Sequence, residues 1–116
     1  MKVKIDTREK MYVITIHEPN LAANMTEEID ECLRPLLRGN VKNVIISMSD
    51  TKTIDNAAAN KLVELQNLFY ESGASFVSCN LDKDLRTSLN NYGALEKLNT
   101  TPSLSEASDI VLMEEM

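Results

Sequence analysis

Hydrophobic and polar positions alternate with two different periods along the chain, and the changes of period mark its elements. Residues 2–6 alternate between polar and apolar side chains, and residues 11–17 (MYVITIH) are rich in β-branched and aromatic side chains. This pattern predicts two strands joined by a polar turn at residues 7–10. Pro19 and Asn20 end the second strand, because proline has no amide hydrogen to donate to a sheet.

The first predicted helix begins after Asn24, a candidate N-cap, and Glu27 is spaced to complete a capping box. Its apolar positions recur at helical spacing on one face, at Met25, Ile29, Cys32, Leu33, Leu36 and Leu37. Pro35 conflicts with this pattern, because an interior proline removes one helical hydrogen bond and costs about 3 kcal/mol. We expect it to kink or shorten the helix, and Gly39 is the candidate C-cap.

The middle of the chain contains two apolar runs typical of strands that are covered on both faces. These runs are Val44–Ile46 and residues 75–80. Between them, Asp55 is placed to cap a second helix at residues 56–72, which Gly73 ends.

The last third of the chain predicts two more helices and one strand. Asp82 is a candidate cap for a third helix that stops at Gly93, with an inner face formed by Leu85, Leu89 and Tyr92. Residues 97–101 are expected to form a short edge strand. Ser103 and Glu106 then form a capping box for a fourth helix.

The resulting order is β-β-α-β-α-β-α-β-α, in one domain spanning residues 1–116. A β-α-β alternation after a hairpin predicts an α/β fold, with helices packed on a single mixed, mostly parallel sheet. We expect four or five strands, with Val44–Ile46 and Phe76–Val77 adjacent, central and parallel.

Charge and composition narrow the classes of function. The net charge is −6, from 18 acidic against 12 basic residues, so nucleic acid is an unfavourable partner. No apolar run approaches the roughly 20 residues of a membrane span, and the N-terminus has no signal-peptide pattern, so we expect a cytoplasmic protein without membrane insertion. Cys32 and Cys79 are expected to be buried, reduced thiols. The sequence contains a single histidine, His17, and one histidine favours neither a histidine-based metal site nor a catalytic site.

Candidate chemistry lies in the loop from Ser49 to Asn60, at the carboxyl end of a buried strand where ligands of α/β sheets gather. Its two acids and neighbouring hydroxyls could hold a phosphate or a metal. We favour a structural role for both acids, in which Asp50 stabilises a turn and Asp55 caps the helix. The loop contains no glycine, which argues against a nucleotide-binding loop and supports the expectation of no cofactor.

Four segments carry a recognisable pattern: IDNAAANKL from residue 54, GASFVSCNL from residue 73, LRTSLNNYGALEKL from residue 85 and SLSEASDIV from residue 103. In their order and spacing they resemble the STAS family of anti-sigma-factor antagonists and their relatives. The first resembles the family's aspartate followed by a Ser or Thr that opens a helix, and it leans toward the stressosome-scaffold branch. The N-terminal hairpin and first helix also fit the family's order.

The resemblance implies a partner-binding surface around the start of the second helix. It is formed by Asp55, Asn56, Ala57, Ala58, Asn60 and Lys61, together with Leu21 and Ala22 before the first helix. The alanine run has a second interpretation, because alanine is the best helix former.

The customary phosphorylation site is expected to be lost. The family's phosphoacceptor positions correspond to Asn56 and Ala57, which have no hydroxyl and do not imitate a phosphate. A switch that had moved rather than vanished would use Ser49, Thr51 or Thr53.

The resemblance therefore predicts a non-enzymatic regulatory module. It would bind an anti-sigma factor or serine-kinase homologue without the usual Ser/Thr switch, and could also form a homodimer. The alternative is a small-ligand-binding or transporter-associated STAS subunit.

Overall fold

The structure, a computed structural model that describes residues 1–115, contains seven strands and four α-helices. The strands are β1 (Val3–Thr7), β2 (Tyr12–Ile16), β3 (Asn20–Leu21), β4 (Val44–Ser47), β5 (Thr53–Ile54), β6 (Phe76–Cys79) and β7 (Thr100–Thr101). The helices are α1 (Thr26–Leu33), α2 (Asn56–Glu71), α3 (Lys83–Asn91) and α4 (Leu104–Glu115).

Five of the strands form one mixed sheet in the order β1-β2-β4-β6-β7. Only β1 and β2 are antiparallel within it, and the remaining neighbours are parallel. Val44 lies opposite Phe76, and Ile45 lies opposite Val77. The predicted α/β class and the central parallel pair are therefore confirmed.

The helices cover the two faces of the sheet unequally. Helices α1, α2 and α3 pack on one face, where the larger core includes Ile14, Ile46, Leu62, Leu65, Phe69, Phe76, Leu85 and Leu89. The rings of Phe69 and Phe76 meet edge to face, with centroids 5.3 Å apart. Of the described helices, α4 covers the other face, against a smaller core of Met11, Val13, Ile45, Val77, Cys79, Ala107 and Val111.

The start of α1 differs from the prediction. A 3₁₀ turn at Ala23–Met25 precedes the α-helix, so Asn24 lies within the turn and does not cap α1. The predicted shortening of the helix at Pro35 is confirmed. Helix α1 ends at Leu33, and a 3₁₀ segment at Arg34–Arg38 contains Pro35 in its first turn. Gly39 follows with φ −88°, so it does not supply a left-handed C-cap.

Other helix ends follow the sequence signals closely. Asp55 and Asp82 cap α2 and α3, and each accepts a hydrogen bond from the backbone N–H three residues on. The Ser103 Oγ accepts from the Glu106 N–H at 3.2 Å, which is one of the two bonds of the predicted capping box, while the Glu106 carboxylate accepts from the Ser103 hydroxyl at 3.4 Å. Gly73 and Gly93, with φ of 79° and 73°, adopt the left-handed conformation after α2 and α3.

Two side chains are less buried than predicted. Tyr92 follows the last turn of α3 and is 40% exposed, because the helix ends at Asn91 before a further inner-face position is reached. Cys32 is only half-buried, whereas Cys79 is buried as expected, and both thiols are free. Burial raises the pKa of both thiols. At Cys79 a hydrogen bond with Ser47 partly opposes this rise.

Candidate functional site

The start of α2 is positioned by a second, two-stranded parallel sheet that pattern analysis did not predict. Asn20 of β3 lies opposite Thr53 of β5, and Leu21 lies opposite Ile54. The Thr53 hydroxyl donates to Asn20 Oδ1 at 2.6 Å. The pairing therefore holds the chain before α1 directly beside the chain before α2.

Asp55 joins these two segments with both of its carboxylate oxygens. Oδ1 accepts the N–H of Ala58 at 2.9 Å and so caps α2. Oδ2 accepts the N–H of Ala23 at 2.7 Å, at the start of the 3₁₀ turn before α1. The Asp55 N–H donates to the carbonyl of Leu21 at 2.9 Å. Asp55 is therefore a structural tie as well as a cap, and both its oxygens are engaged.

The first turn of α2 presents part of the predicted surface to solvent. Asn56, Ala57 and Asn60 are exposed, while Lys61 and Ala22 are partly buried. This turn carries no charged side chain at its exposed positions, and it lies beside the helix end where a partial positive charge accumulates.

Two residues assigned to this surface are buried instead. Ala58 has no exposed surface and Leu21 is 1% exposed, so neither side chain can contact a partner directly. Ala59 is also fully buried. The alanine run therefore serves mainly to bring α2 close to the core, and only Ala57 contributes an exposed methyl group.

An open groove of about 250 Å³ runs beside this turn, between the starts of α1 and α2. Its lining residues are Thr26, Ala57, Asn60, Lys61 and Glu64. Sequence patterns did not indicate Thr26 and Glu64, because the approach of α1 to α2 depends on tertiary packing and not on the periodicity of either helix.

The charges beside the groove largely neutralise one another. The Lys61 ammonium donates to Glu64 and, at 3.1 Å, to Asp30 Oδ2 on α1, and these bonds raise the pKa of Lys61. Arg34 contacts the same Asp30 through two hydrogen bonds of 2.7 and 2.8 Å. Ala57 and Asn60 are therefore the exposed uncharged groups of the groove, one apolar and one polar, beside the exposed Glu64 carboxylate that is paired with Lys61.

The three hydroxyl groups that precede α2 differ in access. Thr51 is fully buried, and its Oγ1 donates to the carbonyl of Glu18 at 2.9 Å. Ser49 and Thr53 are exposed. Asp50 lies 2.5 Å from His17 Nδ1, at the ends of β4 and β2. Within residues 1–115, no cluster of three or more side chains is arranged to hold a metal ion.

Comparison with known proteins assigns the family. Residues 2–107 match the sequence model of the STAS domain, and the chain belongs to the STAS family. No curated protein sequence matches it. Within the described part of the chain, no helix combines the length and the apolar character needed to cross a bilayer.

Solved structures with low sequence identity share the fold. A Ser-to-Glu variant of RsbS from Moorella thermoacetica superposes with a TM-score of 0.80 at 21% identity, covering 100% of both chains. The anti-sigma factor antagonist SpoIIAA in its unphosphorylated form gives 0.75 at 14% identity, covering 97% of both chains. The murine anion transporter Slc26a9 also gives 0.75 at 14% identity, over 93% of this chain and 18% of the transporter.

Proposed function

We propose that this chain is a non-enzymatic regulatory module that binds an anti-sigma-factor or serine-kinase-type partner through the first turn of α2. The exposed and uncharged surface of Asn56, Ala57 and Asn60 carries the proposal. The groove beside it is open and, at about 250 Å³, smaller than most small-molecule pockets. A protein surface that rests on the turn suits this shape better than an enclosed ligand does.

The proposal includes the loss of the phosphorylation switch at this turn. In a phosphorylated relative, a dianion added at the helix N-terminus changes partner binding by charge and bulk. Residues 55–60 contain no hydroxyl that could accept phosphate. Binding that requires the unphosphorylated surface is then constitutive, and it is controlled by the concentration of the partner.

A relocated switch has two accessible acceptors. Ser49 and Thr53 are exposed, whereas the Thr51 hydroxyl is fully buried and already donates to a backbone carbonyl. Phosphate on Ser49 or Thr53 after incubation with a kinase-type partner and ATP, found by phosphosite mapping, would replace the constitutive mechanism with a moved switch.

The Ala57→Asp variant tests the docking surface. At a helix N-terminus the new carboxylate interacts favourably with the helix dipole, so the folded state is expected to be unchanged or stabilised by about 0.3–1 kcal/mol. Partner affinity is expected to fall about 100-fold, because an unpaired carboxylate buried in an interface costs several kcal/mol. Thermal melting and a binding titration with a purified serine-kinase-type anti-sigma factor measure the two effects.

Ser105→Asp is the matched control for this experiment. Ser105 is exposed in the first turn of α4, so the substitution also places a carboxylate near a helix N-terminus, but α4 covers the opposite face of the sheet. We expect wild-type affinity from this control. Equal affinities for wild type, Ala57→Asp and Ser105→Asp would show that the partner docks elsewhere.

A transporter-associated subunit is the second candidate function. The similarity of the fold to a segment of Slc26a9 favours it. Stable co-purification with a membrane-embedded anion transporter, and no binding to a kinase-type anti-sigma factor, would support this candidate over the first.

A further inference from the structure

Among residues 1–115, the main sheet ends at β1, and no described strand pairs with its outer edge. The sheet order places β2 as the one described neighbour of β1. The five residues of β1 pair in a continuous register, from Val3 opposite Ile16 to Thr7 opposite Tyr12, without a bulge or a proline. Bulges, prolines and charged side chains are the usual devices that prevent a sheet edge from pairing with another chain, and of these β1 has only the charges of Lys4 and Asp6.

The backbone groups on this open edge belong to alternate residues. The Lys2 carbonyl accepts the His17 N–H at 2.8 Å, and the Arg8 N–H donates to the carbonyl of Met11 at 2.9 Å. Residues of an antiparallel strand direct their backbone groups alternately to the two sides. Lys4 and Asp6 therefore face β2, and the N–H and C=O groups of Val3, Ile5 and Thr7 point outward.

The side chain of Ile5 marks the centre of this edge. Ile5 lies opposite Ile14 and so projects on the face covered by α1, α2 and α3, yet it is 46% exposed. Its flanking residues Lys4 and Asp6 project on the opposite face, and both are exposed with opposite charges.

We propose that β1 is a self-association surface, which pairs in antiparallel orientation with β1 of a second copy about a two-fold axis at Ile5. In this register the outward backbone groups of Ile5 meet those of Ile5 in the second copy, and Val3 meets Thr7. Lys4 then lies opposite Asp6 of the second copy, twice by symmetry. The two sheets become one continuous sheet, and the two isoleucines cover each other.

Strand overlap and charge together favour this register. Only a two-fold axis at Ile5 pairs all five residues of β1 with the five residues of the second copy. An axis one residue earlier shortens the overlap and places Lys4 opposite Lys4, although it brings Lys2 opposite Asp6. An axis one residue later places Asp6 opposite Asp6 and Lys4 opposite Arg8. Like charges directly opposite each other destabilise a strand pair, whereas opposite charges stabilise it. In the centred register the like-charged Lys2 and Arg8 meet only beyond the ends of the strand, where both are exposed and salt screens their repulsion.

Charge reversal tests both the surface and the register. Lys4→Asp places a carboxylate opposite Asp6, and Asp6→Lys places an ammonium opposite Lys4. Each single variant is expected to self-associate roughly tenfold more weakly than wild type. An equimolar mixture of the two variants is expected to form heterodimers, and the Lys4→Asp/Asp6→Lys double variant is expected to recover the homodimer. Sedimentation equilibrium over a concentration series measures these masses.

Lys97→Asp is the control variant. It reverses an exposed charge in the segment before β7, at the opposite edge of the sheet, and is expected to self-associate as wild type does. Circular dichroism checks that every variant is folded. The proposal is overturned if the wild type stays monomeric up to millimolar concentration, if the single variants dimerise as the wild type does, or if their mixture stays monomeric.

Discussion

At the scale of single residues, the carboxylate of Asp55 accepts two backbone hydrogen bonds, whereas the carboxylate of an ordinary N-cap accepts one. Its oxygens accept from Ala58 in α2 and from Ala23 before α1, whereas Asp82 accepts from Leu85 and pairs with the exposed Lys52 at 3.2 Å. Exposed ion pairs contribute little to stability. The two aspartates therefore form a matched pair for measuring what the additional tie contributes.

We expect Asp55→Ala to destabilise the protein more than Asp82→Ala does. Loss of an N-cap costs about 0.5–2 kcal/mol, and loss of a second hydrogen bond to a charged group adds about 1.5–3 kcal/mol. Urea unfolding of both variants measures the difference. Equal losses would show that the Asp55–Ala23 bond contributes nothing to the free energy of unfolding.

Residue-scale chemistry could be predicted where it depends on local sequence. The aspartate caps at Asp55 and Asp82 follow from a short polar side chain placed before an apolar periodic segment. The second bond of Asp55 could not be predicted, because Ala23 lies 32 residues away and offers only a backbone N–H. The burial of Ala58 likewise depends on how closely α2 approaches the sheet.

At the scale of elements, an ion-pair cluster fastens α1 to α2 beside the groove. Asp30 on α1 accepts from Arg34 and from Lys61 on α2, and its side chain is 23% exposed. The two hydrogen bonds from Arg34, and then the one from Lys61, hold the pKa of Asp30 well below its usual range. The cluster therefore stabilises the pair of helices only while Asp30 is ionised.

The sign of the resulting pH dependence follows from this lowered pKa. A carboxyl group with a lower pKa in the folded state stabilises the protein fully above its unfolded pKa of about 3.9, and the stabilisation is lost as the pH falls below that value. We expect Asp30→Asn to cost on the order of 1 kcal/mol at pH 7, and this difference from wild type to shrink between about pH 5 and pH 2.

Urea unfolding from pH 7 to pH 2 tests this expectation, with Asp109→Asn as the control. Asp109 is exposed on α4, away from the cluster, so its substitution removes a carboxylate without touching these ion pairs, and we expect a smaller change in the free energy of unfolding than Asp30→Asn gives at pH 7. A pH-independent difference for Asp30→Asn would contradict the role assigned to the cluster.

The elements that the sequence predicts well are those with long, regular patterns. Strands β4 and β6 are short apolar runs bounded by polar residues, and α2 has both a cap and a terminal glycine. The two-residue strands β3 and β5 were missed, because their pairing depends on distant backbone groups and not on periodicity. The start of α1 was misplaced for the same reason, since the 3₁₀ turn there is tied to Asp55.

At the scale of the whole molecule, the proposed partner surface and the proposed self-association edge are separate. The first turn of α2 lies on the helical layer, and β1 forms the outer edge of the sheet. Because the two surfaces share no residue, a dimer joined through β1 would present two partner-binding turns. Charge reversal at Lys4 or Asp6 should therefore leave the affinity of a single site for its partner unchanged.

The central claim is that a regulatory protein docks on the first turn of α2, and a nuclear magnetic resonance titration tests it most directly. The ¹⁵N-labelled chain is titrated with an unlabelled serine-kinase-type anti-sigma factor. We predict the largest shifts at the amides of Asn56, Ala57, Asn60 and Lys61, with Ser105 on α4 unchanged. Binding with the largest shifts on α4, and none at the first turn of α2, would contradict the claim.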